Sequence, residues 1–282
     1  MKTGIKRNLT GDEYHAGPGI SKSGLDLIAH SPLHYWAKYL DPKRQPQEST
    51  PALRLGTAIH TAVLEPDRFA IEYRVAPQVD RRTKDGKALW EDFTARCAED
   101  NATPISADDF EICRRIADQV RSHPTAQTLF QTGSAEQSAY WIDEETGVLC
   151  KCRPDWLSRQ VIVDLKSTRD ASPSGFQRSA YGFRYHVQAA WYLDGIAATT
   201  GKPRDAFIFA AFEKESPFAC AFYYADQSMI EAGRAEYRRL LRTYAECMKS
   251  GRWPGYPMEL QALTLPPWAT PAADNDNEPQ GE

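Results

Sequence analysis

The chain has 282 residues, 41% of them hydrophobic and 26% charged, and a formal net charge of −4. That is the balance of a globular protein able to bury a sizeable core, and the acidic total excludes wholesale non-specific nucleic-acid binding while leaving room for a local basic groove. Six scattered cysteines do not make a secreted disulfide scaffold, no apolar signal region opens the chain, and no apolar run approaches the roughly 18 residues of a membrane span, so a cytoplasmic protein with no membrane partner is expected.

Ser23 and Asp26 read as a capping box ahead of an apolar pattern from Leu25 to Tyr39, which Pro32 divides into two short helices. After a polar, proline-bearing stretch, ALRLGTAIHTAVLEP reads as a helix closed by Pro66, with Leu55, Ile59, Ala62 and Val63 at helical spacing and His60 beside that stripe. Gln78 to Lys87 reads as a loop whose Arg81, Arg82, Lys84 and Lys87 form the most basic local cluster. It is a candidate phosphate contact, with Trp36 or Trp90 as a stacking platform. Helices are expected at about 88–99 and, from a second capping box at Ser106 and Asp109, about 108–122, so residues 1–132 read as helical.

The character changes at Gly133. SAEQSAYWID, GVLCKCRPDWLS and QVIVDLKST are strand-like runs separated by the turn signals DEETG and SR, and a β-meander is the simplest pairing. A long helix over about 176–198, the strands AFIFAAFEK and FACAFYYA, and a final helix over about 226–249 complete an α/β pattern, a mixed sheet flanked by helices. The expected organisation is one domain over 1–265, its helical N-terminal part ending at 132 and its sheet core spanning 133–265. The proline-rich, acidic tail 266–282 is expected to be disordered.

Chemistry concentrates in RPDWLSRQVIVDLKS. Alternation along a strand points Asp164 and Lys166 one way and Val163 and Leu165 the other, and the short SR turn can bring Asp155 opposite them. Two converging carboxylates repel, and a divalent cation is the usual means of keeping both ionised; hard oxygen ligands suit Mg²⁺ or Mn²⁺. Lys166 would then orient or deprotonate an attacking water, or offset charge in the transition state. A D-x-K triplet alone is more often a salt bridge on the solvent face of a strand.

In this chain the triplet has company. A PD pair followed nine positions later by D-x-K, together with YHAGPGISKSGLDLIAHSPLHYW, LGTAIHTAVLEP, CRPDWL, IVDLKST, YHVQAAWYLDG and PGY, resembles the RecE (exonuclease VIII) branch of the RecB-type PD-(D/E)XK nucleases over most of its length. The resemblance implies a restriction-endonuclease-like fold. It implies that Asp155 and Asp164 are metal-binding carboxylates, that the Leu165 carbonyl is a further ligand, and that Lys166 is the catalytic lysine. His60 would reach the metal from its helix, and Glu136 would complete a second metal position. Gln188 and Tyr192, one helical turn apart, form the Q-x-x-x-Y pair that addresses the site or the DNA backbone.

The same resemblance implies resection of double-stranded DNA from 5′ ends to leave 3′ single strands, a RecT-type annealing partner and a ring-shaped homo-oligomer. Some RecB-type nucleases hold an iron–sulfur cluster, which needs four thiolates. Here the one close pair is Cys150 and Cys152 and the C-terminal third offers only Cys220 and Cys247, so no cluster is expected. Two other readings share these residues. One is an endonuclease or repair nuclease with the same metal site; the other is a DNA-binding protein that lost catalysis, against which the joint presence of Asp155, Asp164, Lys166 and Gln188 speaks.

Overall fold

Among the described residues five helices have a proline in the first turn, where a missing N–H costs nothing, and four of them, at Pro32, Pro51, Pro66 and Pro124, set much of the N-terminal architecture. The structure, a computed structural model, describes residues 2–7, 9–45 and 49–265; the expected disordered tail of 266–282 lies outside the described residues. Strand β1 (Gly4–Lys6) is followed by α1 (Gly11–Ala16), α2 (Lys22–His30), α3 (Pro32–Tyr39), α4 (Pro51–Leu64) and α5 (Pro66–Glu72). Next come β2 (Tyr73–Val75), α6 (Lys84–Glu99), β3 (Thr103–Ile105), α7 (Ala107–Ser122) and α8 (Pro124–Leu129).

Several expectations need correction here. Ser21, not Ser23, caps α2, its side chain accepting from the Gly24 N–H, and Asp26 pairs with Lys22 (2.8 Å) instead of closing a box. Helix α6 starts at Lys84 rather than Ala88 because Thr83 caps it, which places Lys84 and Lys87 on the helix and leaves Arg81 in the loop, stacked on Trp90 at 4.5 Å. Residues 1–132 are not all helical: β2 pairs with β3 in parallel and β1 adds to the sheet core. Three-residue strands carry too little alternation for a sequence pattern to register.

The core continues with β4 (Ser134–Ala135), β5 (Ser138–Ile142), β6 (Leu149–Cys152), β7 (Trp156–Leu157) and β8 (Val161–Thr168). Then follow α9 (Pro173–Gly182), α10 (Tyr185–Thr200), β9 (Ala206–Glu213), β10 (Cys220–Tyr224) and α11 (Gln227–Ser250). The expected meander is present but bent. Two of its runs break, at Glu136–Gln137 and at Arg153–Asp155, yielding a sheet ordered β1-β5-β6 and a second ordered β10-β9-β8-β7-β4. Glu136 N–H donates to the Asp155 carbonyl (2.9 Å) across the break, and Glu136 takes a left-handed backbone, φ 53°.

The expected helix over 176–198 is two helices. Arg184 turns the chain between them at φ 57° and ψ 45°, and its guanidinium pairs with Asp26 (3.3 Å) and Glu236 (3.0 Å), contacts invisible to local pattern. Helix α11 can lie close along the start of α10 because Gly233 sits where a Cβ would come 2.0 Å from the His186 carbonyl. Together α9 and α10 make the crossover that lets β8 and β9 run parallel, while β10 returns antiparallel.

Both faces of the five-stranded sheet are covered. Ile162, Phe207 and Phe209 pack with Val187, Trp191 and Leu240 of α10 and α11. On the opposite face Val163, Leu165, Ala210 and Phe212 pack with Ile59 and Ala62 of α4 and with Cys113, Ile116 and Val120 of α7. The result is a mixed central sheet flanked by helices. An N-terminal arm is tied to it by Lys151, whose Nζ donates to the carbonyls of Tyr14 (2.8 Å) and Gly17 (2.6 Å). Among the described residues no helix is long and apolar enough to cross a membrane.

Candidate active site

Strand alternation sorts β8. Val163 and Leu165 fill the α4–α7 side, which leaves Asp164 and Lys166 facing α10, as their spacing requires. The β7–β8 register pairs Trp156 with Val163, and continued by one residue it sets Asp155 opposite Asp164. Both carboxylates are buried, at 9% and 1% relative exposure. Lys166 Nζ contacts Asp164 Oδ2, and Gln188 Nε2, from the first turns of α10, donates to Asp164 Oδ1 (2.7 Å). The Leu165 N–H donates to Asp155 Oδ2 (2.7 Å). Because the N–H and C=O of one strand residue point to the same side, the Leu165 carbonyl also faces the Asp155 side.

Two further elements converge on this point. Helix α4 brings His60, whose Nδ1 lies 3.5 Å from Asp155 Oδ2 and 4.0 Å from Glu136 Oε1; Glu136 comes from the strand break. One ligand atom from each of His60, Glu136 and Asp155 lies within 4.8 Å of the others. Glu136 uses its second oxygen, Oε2, on Arg153 Nε (2.5 Å). Asp164, with Oδ1 accepting from Gln188 and Oδ2 in contact with Lys166 Nζ, stands opposite Asp155 at the edge of this trio.

The charge balance is uneven. Asp164 has Lys166 and Glu136 has Arg153, but among the described residues Asp155 has no lysine or arginine nitrogen within 4.0 Å; its closest basic group is the His60 imidazole. Burial pushes the Asp155 carboxyl well above the usual carboxylate range. Asp164 and Glu136 push it further, against the smaller pull of Lys166 and the Leu165 N–H. Burial also lowers the His60 imidazole below its ordinary value, more than the neighbouring carboxylates raise it, so near neutral pH it is an uncharged nitrogen donor. A buried carboxylate held against its own ionisation, flanked by a second carboxylate, a neutral imidazole and a peptide carbonyl, fits a divalent cation with hard ligands.

Tyr192 lies one turn after Gln188, and burial, then Tyr14, Asp164, Cys152 and Asp155 around it, push its hydroxyl well above the usual phenol range. Its ring packs edge-on against Phe207 at 5.9 Å, and no hydrogen bond is made by its hydroxyl among the described residues. Sequence reasoning passed over two others. Tyr185 lies under Lys166, with Nζ 4.7 Å from its ring centroid, and Arg153 holds Glu136. Each sits inside a motif already singled out, YHVQ and CRPD, so position in the motif was the available signal. A cleft of about 400 Å³ lined by Thr10, Arg68, Glu136 and Arg153 opens beside the cluster. A larger cavity of about 620 Å³, between β5, α10 and α11, contains none of the predicted site residues.

Comparison with known proteins bears on the family and the fold. Residues 21–265 match the family described as "PDDEXK-like domain of unknown function (DUF3799)". Among solved structures, a protein described as a candidate exonuclease from Eubacterium rectale superposes with a TM-score of 0.57 at 15% identity, covering 90% of this chain and 97% of that one. An alkaline exonuclease from Laribacter hongkongensis is also 15% identical, over 69% of this chain and 97% of that one, but with a TM-score of only 0.26. The first likeness shows the fold; the second is too distant to argue from. No curated protein matches the chain. On the family match, which spans most of its length, the chain belongs to the PDDEXK-like domain family, and its fold is that of the PD-(D/E)XK nucleases.

Proposed function

We propose that the protein is a metal-dependent exodeoxyribonuclease that hydrolyses phosphodiester bonds from the ends of linear double-stranded DNA. Its cation, Mg²⁺ or Mn²⁺, would be held by His60, Glu136, Asp155, Asp164 and the Leu165 carbonyl. The observation that carries this reading is Asp155: a buried carboxylate with no cationic side chain of its own, facing Glu136 and His60 beside the Asp164–Lys166 pair. When bound, the cation supplies charge stabilisation at the phosphoryl group and a more acidic water.

The chain's own groups do the rest. Gln188 fixes Asp164 through the 2.7 Å hydrogen bond, so that carboxylate keeps one orientation. Burial alone would loosen the Lys166 proton, but Asp164 and then Asp155 reverse that, and the lysine is held as an ammonium above its ordinary value. An ammonium there donates to the attacking water or to a non-bridging oxygen and offsets the charge that develops in the transition state. The Tyr185 ring beneath Lys166 limits where the ammonium can point.

Attack from the 5′ end, 3′ single-stranded products, a RecT-type annealing partner and a ring-shaped homo-oligomer complete the reading, and their support is the RecE resemblance of the motifs. The test is digestion of end-labelled linear duplex beside covalently closed circular duplex, with Mg²⁺ and with EDTA. We expect metal-dependent loss of the linear substrate, with a 5′ label released first, and an intact circle. Nicking of the circle would favour the endonuclease reading of the same site; absence of cleavage under every condition would refute the nuclease reading.

A further inference from the structure

Arg153 is the charged group at the cluster to which the proposed chemistry gives no task. Its side chain is only 11% exposed and is engaged through Nε and Nη1. Nε donates to Glu136 Oε2 (2.5 Å), and Nη1 donates to the Leu9 carbonyl (2.7 Å) and to Ser138 Oγ (2.9 Å). The Leu9 carbonyl belongs to the N-terminal arm and Ser138, fully buried, opens β5, so two fixed, non-titrating groups anchor the guanidinium from different elements.

Its third partner, Glu136, is the one with a long rotatable side chain. Glutamate has three rotatable side-chain bonds, and this one stands on a left-handed backbone, φ 53°, that residues other than glycine rarely adopt. Such a conformation persists where surrounding contacts over-determine it. Here those contacts are the Glu136 N–H to the Asp155 carbonyl (2.9 Å) and the Arg153 fork. The fork takes one carboxylate oxygen and leaves the other, Oε1, on the His60 side at 4.0 Å from Nδ1.

We propose that Arg153 is a positioning residue for Glu136. By holding Oε2 it aims Oε1 at His60 and Asp155 and makes Glu136 a single-oxygen ligand of fixed direction. Guanidinium suits this task better than ammonium, because its planar fork can satisfy the carboxylate and the two anchoring oxygens at once. The inference rests on the reading of the cluster as a cation site, and it also explains why an N-terminal arm remote in sequence is tied to the strand break.

The test is Mn²⁺ binding to the full chain, followed by calorimetry or by the paramagnetic resonance signal of free Mn²⁺, without DNA. Arg153→Met is expected to weaken binding about 10- to 100-fold, the usual effect of losing a partner that orients a ligand. Arg153→Lys, which keeps a charge but not the fork, should recover part of that loss, and it carries the comparison should the methionine variant unfold in EDTA. In a Glu136→Gln background Arg153→Met should change the affinity by less than about twofold, because the group it positions is already gone. Normal Mn²⁺ affinity in both Arg153 variants, or a full further loss in the Glu136→Gln background, would overturn the positioning role while leaving the cation site standing. Absence of Mn²⁺ binding to the wild-type protein would instead overturn the cation site, and this inference with it.

Discussion

Asp155→Asn separates stability from function at this site. The amide oxygen can still accept the Leu165 N–H, and the side chain keeps its shape, so packing is unchanged. What disappears is a buried charge opposed by Asp164 and Glu136. Because the folded-state pKa of Asp155 is raised, the native protein holds more protons than the unfolded chain between the ordinary carboxylate range and the raised value. The contribution of Asp155 is therefore fully present below that range and is lost as pH rises through the raised value. Without metal, the variant should be more stable than wild type near neutral pH, by about 0.5–2 kcal/mol, the usual gain when a functional group that opposes folding is removed. For a chain of this size that is a rise in Tm of roughly 1–8 °C. The advantage should shrink towards pH 3–4, near the reference pKa of about 3.9. Saturating Mn²⁺ should reverse the order, since a ligand at a hundred times its Kd stabilises wild type by about 2.7 kcal/mol and the variant by much less. Thermal unfolding in EDTA and in Mn²⁺, at several pH values, measures all of this. A variant less stable than wild type in EDTA at pH 7–8, or a difference that ignores pH, would refute the charge argument.

Four other outcomes follow from the same geometry. Lys166→Met should lower the cleavage rate about 10²- to 10³-fold, as loss of one transition-state donor does, while Mn²⁺ binding persists; a wild-type rate would contradict its role. Gln188→Ala removes a hydrogen bond to a buried carboxylate, of a kind worth about 1.5–3 kcal/mol, and should lower both activity and stability. Tyr192→Phe removes a hydroxyl with no hydrogen-bond partner among the described residues and should leave kcat within about threefold. Metal binding should release protons below the raised pKa of Asp155, so affinity should increase with pH; calorimetry in buffers of different ionisation enthalpy would show this as a buffer-dependent heat, and a buffer-independent heat would count against it.

The features legible in the sequence were those set by short-range rules. Alternation placed Asp164 and Lys166 on one face of β8, and a turn as short as SR left almost no freedom in the register that brings Asp155 opposite. The order of strands and helices gave the fold class for the same reason. Long-range contacts were not legible. Arg184 ends one helix and starts another because Asp26 and Glu236, far away in sequence, hold it in a left-handed turn. The breaks at Glu136–Gln137 and Arg153–Asp155 meet across two strands; the first has no glycine or proline to announce it, and in the second Pro154 was the available signal. Spacing put Gln188 and Tyr192 on one helical face, but it could not say that Gln188 is the one that hydrogen-bonds Asp164 while the Tyr192 ring packs on Phe207.

The central claim is that His60, Glu136, Asp155 and Asp164 share one divalent cation. Its most direct test is a crystal of the protein grown or soaked with Mn²⁺ and measured for anomalous scattering. A peak coordinated by Asp155, with His60, Glu136, Asp164 or the Leu165 carbonyl completing its shell, is the predicted result. Density that shows these side chains ordered with no peak among them, or a peak only at the cavity near Asp143 and Asp194, would contradict the account.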